Sequence, residues 1–254
     1  AALSFVAWGL LSYEDNLLCK IQELNLHMNT MLFFKQQMVV PGGFLTWLGT
    51  WFTEFFYHTW QGVLMLCAWW ALLMWLSAKA LRVPMKWAVL MLVPVALLLA
   101  SNMQLGYWIY YIKLRGYYFV ATIGLTFAMA TVWGYRLLPA MPRPAAIVLA
   151  GAILYPLLGI YGLLAVVICA LCDINVNSQF TIHNSQLTTA NGQKPTAKSQ
   201  WLTAATFLLA LLTVWLVPII YYWTVYYQTN YDYIYMAALP MFELVPYCKL
   251  YDYL

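Results

Sequence analysis

The 254-residue chain is 65% hydrophobic and 18% aromatic, with 8% charged residues and a formal net charge of +4. A soluble domain carries about 25% charged residues, so the composition excludes a water-covered globular domain, and the basic residues are too scattered for a nucleic-acid surface. Apolar runs without two-residue alternation predict an all-α polytopic transmembrane bundle of about six or seven spans, because only helices and closed barrels satisfy their backbone in lipid.

Residues 1–11 read as the outer half of a first span. The run is short for a bilayer, so the expectation is a span that starts upstream of Ala1. The stretch Ser12-Tyr13-Glu14-Asp15 follows at once and places two adjacent acids where the chain leaves the apolar run. Residues 16–34 then show helical periodicity: Leu17, Leu18, Ile21, Leu24, Met28, Met31 and Leu32 make one stripe, and Asn16, Lys20, Glu23, His27 and Thr30 the opposite one. That pattern predicts a single amphipathic helix lying along the membrane interface. Pro41-Gly42-Gly43 breaks the chain.

A helical stretch over 44–57 leads into a span over about 59–78, and Lys79, Arg82, Pro84 and Lys86 mark the next loop. Residues 87–100 form a further span that extends toward Trp108, and 117–135 another. Residues 145–172 are apolar throughout, with Pro156, Gly159 and Gly162 in the middle. They form either one long kinked span or a hairpin of two short ones. Residues 173–200, rich in Asn, Gln, Ser and Thr, read as an exposed polar loop, and 201–220 as the last span. The tail over 221–254 holds ten of the twenty tyrosines, rings suited to the membrane–water interface.

The whole is one transmembrane domain, with interfacial segments over about 12–57. Lys79, Arg82, Lys86, Arg136 and Arg143 fall on one side under this span order, which the positive-inside rule makes cytoplasmic. Glu14 and Asp15 then face outward; Lys113 and Arg115 dissent.

Three groups are candidates for chemistry. Glu14 and Asp15 are either working acids or the start of a helix, where carboxylates favour the positive dipole end. Glu54 and His58, four apart, would share a helix face. They serve either as a proton relay or half of a metal site, or as a pair snorkelling to water. Lys113 and Arg115, beside Tyr117 and other rings, form either an anion-and-ring site or an aromatic belt with snorkelling cations. His27, His183, Asp232 and Glu243 stand as singles, His27 on the solvated stripe. Cys169-x-x-Cys172 lacks the second pair or the histidines of a zinc site. No internal repeat and no paired mid-bilayer ionisable groups argue for a transporter.

The order VPGGFLTWLGTWFTEFFYHTWQGVLM, GYYFVATIGL, LLPAMPRPAAIVLAGAILYPLLGIYGLLA resembles an uncharacterised polytopic membrane-protein family of Bacteroidetes-type bacteria, over most of the chain. The resemblance implies a multi-pass protein of the bacterial inner membrane, and a further C-terminal region in members of the family. Residues 1 to about 75 also resemble the start of GT-C glycosyltransferases. There a first span is followed by an acidic pair, an interfacial helix, a proline-bearing break and an aromatic-rich helix. Glu14-Asp15 stands at the acidic pair, reversed in order, and 41–48 at the proline–tryptophan stretch, with one proline for two.

That second resemblance implies transfer of a sugar from a polyprenyl-phosphate donor, with Asp15 as base and Glu14 as a ligand of a divalent metal or an orienting partner. Lys113, Arg115, Tyr117, Glu54 and His58 would be the substrate-side residues. The alternative is a non-enzymatic membrane subunit that anchors or assembles a partner complex in the lipid bilayer.

Overall fold

A computed structural model of the chain describes residues 2–25, 27–83, 85–106, 116–139, 142–187, 197–226, and 231, 234, 235 and 238. The described residues are helical, without strands. Three helices are long and apolar enough to cross a membrane, Thr59–Leu81, Tyr118–Leu137 and Ala204–Thr224, and four apolar helices are shorter.

Helix α1 (Ala2–Tyr13) ends at the acidic pair and packs on α5 (Thr59–Leu81). The single interfacial helix expected over 16–34 is instead two: α2 (Asp15–Leu24) and α3 (Met31–Gln37). The chain turns extended at Asn25, and Thr30 restarts it by accepting a hydrogen bond from the Phe33 amide. Only the first half of the apolar stripe is used. Leu18 and Ile21 are buried, while Met31 and Leu32 remain 67% and 69% exposed. Helix α4 (Gly43–Thr53) follows the Pro-Gly-Gly break, and a 3-10 turn, Glu54–Tyr57, links it to α5.

Helices α5 and α7 (Tyr117–Leu137) form the central pair and run parallel. The register is read from ring contacts: Phe56 meets Phe119 at 5.6 Å, Trp69 meets Phe127 at 6.3 Å and Trp75 meets Trp133 at 5.9 Å. Trp70 is fully buried, and its indole N–H donates to Thr122 Oγ1 at 3.3 Å. In lipid such a bond satisfies a polar group that the hydrocarbon cannot. The start of α7 is wedged against α4, where a Cβ on Gly116 would come within 2.8 Å of the Gly49 carbonyl carbon. Helix α6 (Leu92–Gly106) follows a 3-10 stretch, Met85–Met91, so this span begins later than the apolar run does.

The run over 145–172 resolves as a hairpin. Helix α8 (Arg143–Leu158) is about 24 Å long at roughly 1.5 Å per residue, shorter than a bilayer core. Gly159 turns the chain with φ 60° and ψ −130°, a conformation essentially reserved for glycine. Helix α9 (Ile160–Leu187) returns, so that Arg143 at the start of α8 meets Asp173 at 2.8 Å. The Gly42 amide donates to Pro156 O at 3.0 Å, joining the break before α4 to the hairpin tip.

The polar loop expected from 173 is helical as far as Leu187. Asn, Ser, Gln and Thr weaken a helix only modestly, and the breakers Gly192 and Pro195 come later. Helix α10 (Ala197–Thr224) runs parallel to α8, with Thr213 against Gly151 and the Tyr221 hydroxyl donating to Ala152 O at 2.8 Å. Most of the Tyr-rich tail lies outside the described residues.

Because α5 and α7 are parallel, Lys79 and Arg82 share one end of the bundle with Arg136 and Arg143. The Arg136 guanidinium donates to Ala80 O across that end. Glu14, Asp15 and Glu54 gather at the other end, beside the starts of α5 and α7.

Candidate functional site at the acidic end

Glu14 and Asp15 occupy the junction of α1 and α2. Glu14 holds the N-cap position without a side-chain cap bond, and its carbonyl accepts from the Leu18 amide at 2.9 Å. Its carboxylate is half-buried and acts electrostatically on Tyr118, at the start of α7. Asp15 is the first residue of α2 and is exposed. Both acids therefore sit at a positive dipole end, and Asp15 faces water.

Glu54 and His58 do not share a helix face, contrary to the four-residue spacing. Helix α4 ends at Thr53, and the intervening residues form a 3-10 turn, in which Phe56 is driven into the core against Gly62. His58 has extended backbone at the start of α5, is exposed, and lies against the Tyr57 ring at 4.9 Å. Glu54 turns the other way. Its Oε1 accepts from Asn25 Nδ2 at 2.7 Å and its Oε2 from Gln22 Nε2 at 3.2 Å. The relay or shared metal site that the spacing suggests is not assembled.

What Glu54 does assemble is a polar cluster at the end of α2. Asn25 Nδ2 also donates to Thr50 O at 2.9 Å, and His27 Nδ1 lies 3.1 Å from Thr50 Oγ1. The Thr50 hydroxyl carries one proton and directs it to Trp47 O at 2.8 Å. With the hydroxyl proton on Trp47 O, we assign His27 as donor to Thr50 through Nδ1, the tautomer in which Nε2 is a bare acceptor. The imidazole is held edge-on to Phe33 at 5.6 Å and tilted on Trp47 at 5.9 Å. Burial holds His27 below the ordinary imidazole value, with the Glu54 charge pulling weakly upward.

His27 is thus a half-buried member of a network rather than a solvated single. A signal for the cluster was present in the sequence. Gln22 and Asn25 lie four and seven residues after Leu18, on the apolar side of the helical period of the sequence, where a polar side chain needs a partner.

Lys113 and Arg115 lie outside the described residues, as do Asp232 and Glu243. Tyr117 begins α7, and its side chain is outside the description, as is that of His183 on α9. Cys169 and Cys172 are free thiols on α9. Among the described residues no three of His, Cys, Asp and Glu come together to hold a metal ion.

Sequence reasoning also missed a buried ionic group at the basic end. Asp173, 7% exposed, accepts from Arg143 Nη1 at 2.8 Å and from the Tyr135 hydroxyl at 2.5 Å. Arg143 lies over the Tyr135 ring, 5.8 Å from its centre, and also donates to Leu138 O. One carboxylate thereby ties α7, α8 and α9 together.

No curated protein and no solved structure matches the chain. One family model covers nearly all of it, over residues 1–251, and by that match the chain belongs to a family of unknown function, DUF6057.

Proposed function

We propose that this protein is a multi-pass protein of the bacterial inner membrane that transfers a sugar from a polyprenyl-phosphate donor at its outward face. Three long and four shorter apolar helices support a count of six or seven spans. The gathering of Lys79, Arg82, Arg136 and Arg143 at one end supports a cytoplasmic placement of that end.

The observation that carries the transfer reading is the position of Asp15. It follows the first apolar helix directly, at the end opposite the basic residues, with its carboxylate exposed. Helices α2 and α3, the Pro-Gly-Gly break and α4 then precede α5, an order that supports the resemblance to GT-C enzymes. In this mechanism the acceptor hydroxyl attacks the anomeric carbon of the donor. The carbon–oxygen bond to the lipid phosphate breaks, the phosphate leaves on its carrier, and Asp15 takes the acceptor's proton. Glu14, half-buried beside Asp15, orients the exposed carboxylate. The described residues do not fit a prebuilt divalent-metal site, since the acidic pair stands without a third ligand, so no step passes through a metal.

A second reading is an anchoring or assembly subunit, favoured by the engagement of both Glu54 oxygens with amides that brace α2 against α4. Replacing Asp15 by Asn in the native host separates the two. The transfer reading expects normal membrane accumulation, loss of one surface glycan and build-up of its lipid-linked donor. Unchanged glycans with normal accumulation would sink it and leave the assembly reading in front.

A further inference from the structure

The network around Glu54 is unbalanced in one direction. Asn25 has both amide hydrogens engaged, on Thr50 O and Glu54 Oε1, so its Oδ1 is a pure acceptor. His27 Nε2 is a bare acceptor for the reason given above. Both atoms are shielded from solvent and have no hydrogen-bond partner among the described residues. Leaving a buried acceptor unmet is unfavourable, and here there are two in side chains that reach the same residue, Thr50.

Glu54 adds a negative charge whose described hydrogen-bond donors are neutral amides. No ion pair joins Glu54 to a lysine or arginine among the described residues. Two unmet acceptors beside a carboxylate that has no cationic partner among the described residues call for a ligand that is cationic and rich in hydrogen-bond donors. An anion would be repelled by Glu54, and a quaternary ammonium would leave the acceptors unmet. The site stands at the end of the bundle that carries Glu14 and Asp15, next to the exposed apolar side chains of Met28, Met31 and Leu32, where a membrane surface would lie.

We propose that Asn25, His27 and Glu54 bind a primary ammonium group, supplied by the headgroup of an ethanolamine lipid or by a free amine of that kind. This goes beyond the transfer reading and is independent of it. Asp15 lies outside the site, so a negative result here leaves that reading standing.

The test uses the full chain in phosphatidylcholine nanodiscs, with thermal unfolding and titration calorimetry as readouts. Ethanolamine should raise the unfolding midpoint in a saturable way, whereas choline, which lacks N–H donors, and glycerol, which lacks charge, should not. His27→Phe keeps the ring against Phe33 and Trp47 while removing the acceptor, and should weaken ethanolamine binding about tenfold. Glu54→Gln removes the charge, should weaken binding likewise, and carries the test alone if the His27 variant does not fold. Discs containing phosphatidylethanolamine identify the source. Phosphatidylethanolamine discs that raise the midpoint by themselves point to the lipid, whereas discs of that lipid that leave it unchanged, with ethanolamine active in both discs, point to a free amine. Equal effects of choline or glycerol, no stabilisation by either ethanolamine or phosphatidylethanolamine, or unchanged binding in the folded variants would overturn the proposal.

Discussion

Asp173 offers the sharpest test of the fold. It is 7% exposed and accepts two hydrogen bonds, one from a guanidinium at 2.8 Å and one from a phenol at 2.5 Å. Removing one partner of a buried pair costs about 3–5 kcal/mol, because the other charge is left uncompensated. The Arg143 side chain is 25% exposed and keeps its bonds to Leu138 O. It can therefore recover some hydration when Asp173 is lost, which places Asp173→Ala near the lower bound, at about 3 kcal/mol. Arg143→Met leaves the more deeply buried carboxylate alone and should cost about 4 kcal/mol.

The double variant, Arg143→Met with Asp173→Ala, removes both charges and leaves neither one stranded. It should be more stable than the sum of its singles by about 2–3 kcal/mol. The assay is reversible unfolding of the detergent-solubilised protein by a denaturing detergent, followed by tryptophan fluorescence. Single variants within about 0.5 kcal/mol of the wild type, or singles that add without coupling, would refute the buried-pair argument.

Three further outcomes follow from particular contacts. Thr122→Val removes the acceptor of the Trp70 indole N–H and should lower stability by about 0.6 kcal/mol, the usual size of an interhelical bond in lipid, measured by the same unfolding assay. Gly159→Ala places a Cβ at φ 60°, ψ −130° and should cost about 1–3 kcal/mol, with faster proteolysis at the hairpin tip as a second readout. His27 has a pH signature with a definite sign. Its folded value is depressed, so below the unfolded value of about 6.5 the unfolded chain binds the extra proton and stability falls with decreasing pH. The fall from pH 7 to 5 should be smaller in His27→Phe than in the wild type; equal slopes would remove His27 from the linkage.

The long helices were legible because their signal is local. Each of α5 and α7 is an apolar run that ends near Pro or a basic residue, and α10 is one that begins beside Pro195 and Lys198, so hydrophobicity plus punctuation locates them. The 145–172 run was undecidable by composition, since Pro156, Gly159 and Gly162 permit a kink as well as a turn. Gly159 decides it, and the Arg143–Asp173 pair is the evidence. The misread loop after Asp173 has the opposite cause. Polarity does not by itself end a helix: the composition turns polar after Asp173, whereas the backbone stays helical as far as Leu187.

The candidate site was harder to read for a geometric reason. Four-residue spacing brings side chains together only if the helix persists, and the 3-10 turn at Glu54–Tyr57 separates Glu54 from His58 while sending Phe56 inward. The partners of Glu54 lie about thirty residues earlier, at Gln22 and Asn25, beyond the reach of any local period. Yet each of those amides sat on an apolar face, a local inconsistency that predicts a distant polar partner without naming it. The same holds for Asp173, an acid closing an apolar run that finds Arg143 across the hairpin. In a chain with so few charges, polar residues that break an apolar pattern are the most informative ones. In lipid each must be either paired or used; Asp173 is paired on both oxygens, whereas Asn25 and His27 each keep an unmet acceptor.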